Sequence, residues 1–190
     1  AAGRSGRMGQ PKLLLPWGAT TVIEHLLTRL LDADLASIWI LVRSDDDALT
    51  NCLDAFCHAD PAVRFRRLHV LHAAEPPAEM RDSVALLMKN VTTTRFPKDT
   101  DGWMLVPADS VALEPATLSA VIEQWRRGGQ DVLIPAHAGR RGHPAIFAWS
   151  LASRIDGIPS GHGVNWLCAR PEFHIQEFPV ADPAVLADLD

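Results

Sequence analysis

Apolar side chains at Val22, Ile23, Leu26, Leu27, Leu30 and Leu31 recur every three or four positions, the spacing of one helix face. Thr21 precedes them and Glu24 stands three residues on. That pair forms a capping box, in which a hydroxyl and a carboxylate satisfy free N–H groups of the first turn. The pattern predicts a helix over about 22–33. The period then changes: Ser37–Arg43 reads SIWILVR, a short Ile/Trp/Val run typical of a buried strand. Asp46 to about His58 predicts a second helix with a polar outer face, and Leu68–His72 a short strand. Asp82 or Ser83 suits the cap of a helix through Val84–Val91. Gly102–Pro107 (GWMLVP) reads as another buried strand. Pro115 fits the first turn of a helix that runs to Arg127 and stops at Gly128-Gly129, and Asp131–Ile134 is a strand again.

Strand and helix therefore alternate at least three times. This implies right-handed crossovers and an α/β fold: a single Rossmann-like domain whose mostly parallel twisted sheet carries helices on both faces. The last third is richer in Pro and Gly. Its strands, Pro144–Trp149 and His174–Val180, are expected to pair antiparallel at a sheet edge. Ligands of such sheets sit outside the carboxyl ends of the strands, which directs attention to residues 107–114, 135–143 and the opening loop.

Composition narrows the partners. The 190 residues are 47% hydrophobic and 22% charged, with a net charge of -5, ordinary for a globular domain and unlike the basic balance of a nucleic-acid binder. No apolar run approaches the roughly 20 residues of a membrane span, and no apolar leader core is visible. Cys52, Cys57 and Cys168 show no C-x-x-C spacing and read as reduced thiols of a cytoplasmic protein. Trp39, Trp103 and Trp125 fall in strand or helix patterns and are expected in the core, whereas Trp17 and Trp166 lie in loop-like contexts.

Against that acidic background, AAGRSGRMGQPK opens the chain with glycines at 3, 6 and 9, cations at Arg4, Arg7 and Lys12, and no acid. Glycines let backbone N–H groups close on an anion, and arginine suits bidentate phosphate contacts. The spacing matches neither the P-loop nor the dinucleotide fingerprint. Two readings stand on composition: a polyphosphate cradle, or a basic terminus with flexible glycines.

The stretch resembles the L-A-A-G-x-S-x-R-M-G-x-P-K signature of nucleotidyltransferases related to molybdenum cofactor cytidylyltransferase and guanylyltransferase, through Ala1-Ala2-Gly3, Ser5, Arg7-Met8-Gly9 and Pro11-Lys12. Met104–Asp109 is similar to the family's strand ending in a metal-binding aspartate, Gly142-His143-Pro144 with Phe147 to its G-H-P-x-x-F segment, and Glu79–Ser83 to its G-M-x-x-S turn. Asp188-Leu189-Asp190 resembles the start of its D-x-D-T-P motif. The resemblance implies the fold of nucleotide-diphospho-sugar transferases and a loop wrapped around an NTP. Nucleotide contacts would come from Ala1, Ala2, Gly3, Arg4, Ser5, Gly6, Arg7, Met8, Gly9, Lys12, Ser83, Pro107 and Ala108. Lys12, Arg7 and Asp109 would carry the chemistry, Asp109 and Asp190 would hold Mg²⁺, and Gly142 and His143 would meet the acceptor, with Arg140-Arg141 as further cations nearby. After Asp109 the family usually has Met or Gln and then Pro. Here Ser110-Val111 stand, a departure that bears on acceptor recognition more than on metal binding. The chain starts inside the first motif and stops inside the last. It therefore reads as a single domain over 1–190 lacking the first strand and the final helix of a longer parent.

The implied reaction is transfer of CMP from CTP to molybdopterin carrying molybdenum, with release of pyrophosphate and with a molybdoenzyme as recipient of the product. The choice of CTP rests on Ala2, because guanylyltransferases of the family tend to carry A-G-G. The alternatives are a GTP-dependent guanylyltransferase, a sugar-1-phosphate nucleotidyltransferase, and a nucleotide-binding accessory protein without catalysis, to which Ser110-Val111 lends some weight.

Overall fold

In the computed structural model, which describes residues 11–59, 67–95 and 97–187, the first helix begins where the capping box places it. Glu24 Oε2 accepts the Thr21 N–H at 2.8 Å, and Thr21 Oγ1 accepts the Glu24 N–H at 3.4 Å. Ahead of it, β1 (Pro16–Trp17) and β2 (Thr20–Thr21) form a two-residue hairpin that periodicity did not foretell. Then follow α1 (Val22–Asp32), β3 (Ile38–Arg43), α2 (Asp47–Ala59), β4 (Leu68–Ala73), α3 (Met80–Arg95), β5 (Gly102–Leu105), α4 (Pro115–Arg126), β6 (Val132–His137), β7 (Arg140–Arg141), β8 (Ala145–Ala148) and β9 (Ile175–Pro179).

β3 and β4 pair in parallel, from Ile38 opposite Leu68 to Arg43 opposite Ala73. In the second ladder β8 lies between β5 and β6 and runs antiparallel to both. β9 pairs parallel with β6, from Val132 opposite Ile175 to Ala136 opposite Pro179. The α/β class holds, but the antiparallel strand is internal rather than marginal, and β9 is parallel. The physical reason is that β8 follows β6 through the tight β6–β7 hairpin, which reverses the chain without a helical crossover.

Side chains alternate between the two faces. Ile38, Ile40 and Val42 of β3 join Leu26, Leu27, Leu30, Leu53, Phe56, Leu118 and Ile122 in one core beneath α1, α2 and α4. Val132 and Ile134 of β6 and Ala145 and Phe147 of β8 face the opposite core with Val84 of α3 and with the 3₁₀ segments Trp149–Gly157 and Val164–Ala169. Leu133 and Ile146, one residue out of phase, meet Val121 of α4. Gly102 is required at the start of β5, because a Cβ there would come within 2.6 Å of the Trp125 indole.

Two helix boundaries differ from the expectation. α3 begins at Met80, because the Asp82 carboxylate reaches back to the Glu79 N–H at 2.9 Å. Asp82 and Ser83 thus lie inside the first turn instead of capping a helix at Val84. The helix also continues to Arg95 through a run of threonines that has no apolar period. There Thr92 and Thr94 hydroxyls bond the carbonyls of Met88 and Asn90 at 2.9 and 2.8 Å. Trp103 is buried and stacks on Phe147 at 4.4 Å, but Trp39 and Trp125 are only half-buried, Trp39 being stacked on His69. None of the three cysteines forms a disulfide. No helix among the described residues is long and apolar enough to cross a membrane.

Candidate active site

β5 ends at Leu105, and the chain continues through Val106 and Ala108, which pack on the core under α1. It then turns tightly: Ser110 N–H bonds the Pro107 carbonyl at 3.1 Å and Val111 N–H the Asp109 carbonyl at 2.8 Å. Val111 and Leu113 are buried and anchor the turn. The Asp109 carboxylate is thereby held at the carboxyl end of β5. Opposite it, Lys12 opens a 3₁₀ turn closed by the Leu14 N–H on the Pro11 carbonyl at 2.9 Å, with Leu13 and Leu14 packed on the core. The Lys12 ammonium donates to Asp109 Oδ2 in an ion pair whose side chains are 27% and 17% exposed. Two residues 97 positions apart thus meet at the ligand edge of the sheet.

The register carries a third segment there. Leu105 lies opposite Ala145, so Gly142-His143-Pro144 stands beside the 106–109 stretch. Gly142 N–H bonds the Pro135 carbonyl at 2.8 Å and His143 N–H the Val185 carbonyl at 2.7 Å. Gly142 has no room for a side chain, because a Cβ would collide with that Val185 carbonyl. The His143–Pro144 peptide is cis. Sequence reasoning missed the strap that supports this segment. Asp182 accepts the Thr117 hydroxyl and the Ala184 N–H at 2.9 Å each and so pins residues 182–187 against the start of α4. An N-cap aspartate before Pro183 was its only signal.

A second unforeseen contact closes the α3 side. Glu79 accepts the Ser160 hydroxyl at 3.0 Å and the Gly161 N–H at 3.1 Å, and pairs with Arg81 Nε at 3.0 Å. Arg81 in turn donates to the Ile158 carbonyl. The Gly161 N–H first, then the Ser160 hydroxyl and, against some desolvation, Arg81 hold the Glu79 carboxyl below its ordinary range. The signal lay in the resembling turn, where a carboxylate stands in place of glycine.

Of the expected site residues, the structure brings Lys12 and Asp109 together, places Pro107 and Ala108 in the same turn, and puts Gly142 and His143 at the same edge. Ser83 lies in the first turn of α3. Ala1, Ala2, Gly3, Arg4, Ser5, Gly6, Arg7, Met8, Gly9 and Asp190 lie outside the described residues. Ser110 and Val111 are 4% and 3% exposed, so the departure from the family pattern is packed inward. The Ser110 hydroxyl has no hydrogen-bond partner among the described residues. Trp166 is packed on the core and covered by Arg170 at 4.6 Å, while Trp17 sits on the exposed hairpin, 6.1 Å from the His25 ring. Arg141 is engaged by Glu177 at 2.8 Å.

No group of three or more His, Cys, Asp or Glu side chains forms a metal cluster among the described residues. A hard cation held by one or two carboxylates, with phosphate and water oxygens completing its shell, needs no such cluster. The donor set at Asp109 fits that kind of ion, and a cation, the Lys12 ammonium, already rests on its Oδ2. An open groove of about 600 Å³ between α4 and β9 contains neither residue, and its rim carries Glu114 and Asp182, carboxylates that repel a phosphate.

A parallel ladder, helices on both faces, and a lysine and an aspartate converging at the strand ends make this an α/β fold with an ion pair at the edge where such sheets place their ligands. The chain belongs to the family of MobA-like NTP transferase domains, whose profile matches residues 1–173. It is 49% identical over 47 residues to a probable molybdenum cofactor guanylyltransferase of Carboxydothermus hydrogenoformans, a match covering 25% of this chain and 23% of that protein. Its fold is shared with the crystal structure of Rv0371c from Mycobacterium tuberculosis H37Rv (TM-score 0.77, 24% identity, 100% of this chain and 89% of that one). The manganese complex of Rv0371c also matches (TM-score 0.67, 21% identity, 95% and 85% covered). A nucleotidyl transferase from Methanothermobacter thermautotroptrophicus shows the same fold (TM-score 0.75, 19% identity, 100% and 88% covered).

Proposed function

We propose that this chain transfers the nucleotidyl group of an NTP, CTP by preference, to the terminal phosphate of molybdopterin carrying molybdenum and releases pyrophosphate. The meeting of Lys12 and Asp109 at the end of β5 carries this reading. An acceptor phosphate oxygen attacks the α-phosphorus in line, the bond to the β-phosphate oxygen breaks, and the electron pair leaves with pyrophosphate. Lys12, on a long flexible stem, neutralises the triphosphate from one side. The backbone of residues 107–109 bounds the nucleotide at the strand end, and Gly142 and His143 receive the acceptor. Asp109 would hold Mg²⁺, which would supply neutralisation of charge on the triphosphate and the leaving pyrophosphate. By the family resemblance, Arg4, Arg7 and the backbone of Ala1–Gly9 would add phosphate and base contacts and Asp190 a second carboxylate, all of them outside the described residues.

Thermal shift and calorimetry with the four NTPs and Mg²⁺, followed by mass spectrometry of the product, test the reading. CTP is expected to stabilise most. Preferential stabilisation by GTP supports the second reading, a guanylyltransferase, which the name of the Carboxydothermus relative favours. Asp109→Ala is expected to slow turnover at least about a hundredfold while nucleotide binding survives. An unchanged rate removes Asp109 from the mechanism.

A further inference from the structure

Glu79 joins two segments that reach the ligand edge by different routes. The α3 side arrives directly: β4 ends at Ala73, and residues 74–79 lead from its carboxyl end into the helix. The other side arrives by a return path. β8 begins at Ala145, opposite the end of β5 at Leu105, and leaves the edge to finish opposite Gly102. The 3₁₀ segment Trp149–Gly157 then runs back along α3. The chain turns at residues 159–163, where the His162 N–H bonds the Pro159 carbonyl at 3.2 Å. Ile158 and Val164, on either side of this turn, are buried in the core shared with β8, the strand that Gly142-His143 leads into. We infer that Glu79 is a positioning residue for the acceptor: its carboxylate seats the 159–163 turn beside the start of α3, where the turn presents the exposed His162 imidazole to an anionic acceptor.

Three observations support this role. First, one carboxylate organises the whole turn. Glu79 Oε1 accepts the Ser160 hydroxyl at 3.0 Å and the Gly161 N–H at 3.1 Å, and Oε2 lies 3.0 Å from Arg81 Nε. Arg81 carries the tie on to the Ile158 carbonyl. Gly161 has φ +80°, a conformation that glycine takes without strain. The turn thus owes its shape to its own sequence and its place to Glu79. Second, the helix start does not depend on this side chain. The Asp82 carboxylate accepts the Glu79 N–H at 2.9 Å, so a change of side chain at position 79 releases the turn and leaves the terminus of α3, with Ser83, held. Third, the carboxylate stands where the resembling G-M-x-x-S turn has glycine, and glycine can make none of these side-chain bonds. His162 is the only ionisable side chain between Ile158 and Gly163. Its imidazole can donate to a phosphate oxygen in either charge state.

This inference rests on the reading of the chain as a transferase to molybdopterin, and the test separates the two. Affinities for molybdopterin, CTP and GTP, and the KM for molybdopterin, are measured for wild type, Glu79→Gln, Glu79→Ala, His162→Ala and the Glu79→Ala, His162→Ala pair, with melting curves to confirm folding. Without the clamp the turn is in place for only part of the time, and apparent acceptor affinity falls by that fraction. Glu79→Ala is expected to bind molybdopterin roughly fivefold or more weakly with nucleotide affinity unchanged. Glu79→Gln is expected to fall between, because its oxygen still accepts from Ser160 and Gly161 while its amide meets Arg81; it also decides the test should the alanine variant not fold. His162→Ala is expected to weaken molybdopterin as Glu79→Ala does, and the pair to be no weaker than His162→Ala alone. Additive losses in the pair overturn His162 as the group presented. Wild-type molybdopterin affinity in the folded Glu79 variants, or equal weakening of nucleotide and acceptor, overturns the positioning role and leaves the transferase reading standing. A wild-type protein that binds no molybdopterin overturns both.

Discussion

Replacing Gly142 by alanine tests whether the acceptor edge depends on a backbone-to-backbone approach. The added Cβ collides with the Val185 carbonyl, a main-chain atom in the segment that Asp182 pins to α4, so no side-chain rotation relieves the contact. Overpacking of this kind costs about 1–3 kcal/mol. The same displacement strains two hydrogen bonds, Gly142 N–H to Pro135 and His143 N–H to Val185, each worth about 0.5–1.5 kcal/mol. Together these give about 2–6 kcal/mol, a large part of the roughly 5–15 kcal/mol that holds a typical domain together. In a chain of this size, about 3 kcal/mol lowers Tm by roughly 6–12 °C. Differential scanning calorimetry reads the stability, and steady-state kinetics the displaced His143, as a rise in acceptor KM larger than the fall in kcat. Gly157→Ala is the control, since a Cβ there meets nothing within 4 Å, and it is expected to be neutral or slightly stabilising. Equal melting temperatures and equal acceptor KM for the two variants would refute the reasoning.

Arg67 donates to the carbonyls of Leu31, Ala33 and Leu35 at 2.8, 2.7 and 2.7 Å, so it closes the C-terminal end of α1. Arg67→Ala is expected to lose about 2–4 kcal/mol in a urea titration, three partly exposed charge-assisted bonds counting for less than their sum. Glu79 predicts an acid limb. Its folded pKa is depressed below 4.5, so the stability it contributes is present above that value and is lost as pH falls through the lower, folded one. The Tm gap between wild type and Glu79→Gln should accordingly be open near neutral pH and close in acid, and a gap independent of pH would contradict the clamp. His25 and His69 are depressed from 6.5, each by burial first and then by a neighbouring cation, Arg29 and Arg95. Their share of stability is full above 6.5 and declines as pH falls below it.

What the sequence made legible was whatever has a period or a local chemical signature. The 22–32 helix could be read because six buried side chains and a capping box agree within eleven residues. β3, β5 and β6 were legible as short apolar runs. The placement of Asp109 and Gly142-His143 at the sheet edge was legible because each follows or precedes such a run; their proposed roles rest on the family resemblance and on the rule that α/β sheets take ligands at that edge. What stayed hidden depends on partners far along the chain. The position of β8 between β5 and β6 is decided by a hairpin reversal and by which strand edge is open, neither of which leaves a pattern in residues 145–148. The clamp of Glu79 on Ser160 and Gly161 spans 81 and 82 positions, and nothing local at either end announces the other. The threonine tail of α3 satisfies its hydroxyls on its own backbone and so has no apolar period to detect.

The same long-range contacts explain how a site can be rigid when its pieces come from separate parts of the chain. Lys12 precedes the first helix, Asp109 lies in the turn after the fifth strand, Gly142 precedes the eighth, and Val185 lies near the end of the described chain. Each is fixed by backbone hydrogen bonds or by buried neighbours, and Asp109 and the Val185 carbonyl in turn engage Lys12 and the His143 N–H. Preorganisation of this sort fixes where the charges sit before substrate arrives, which is what nucleotidyl transfer asks of a protein that contributes positioning and electrostatics.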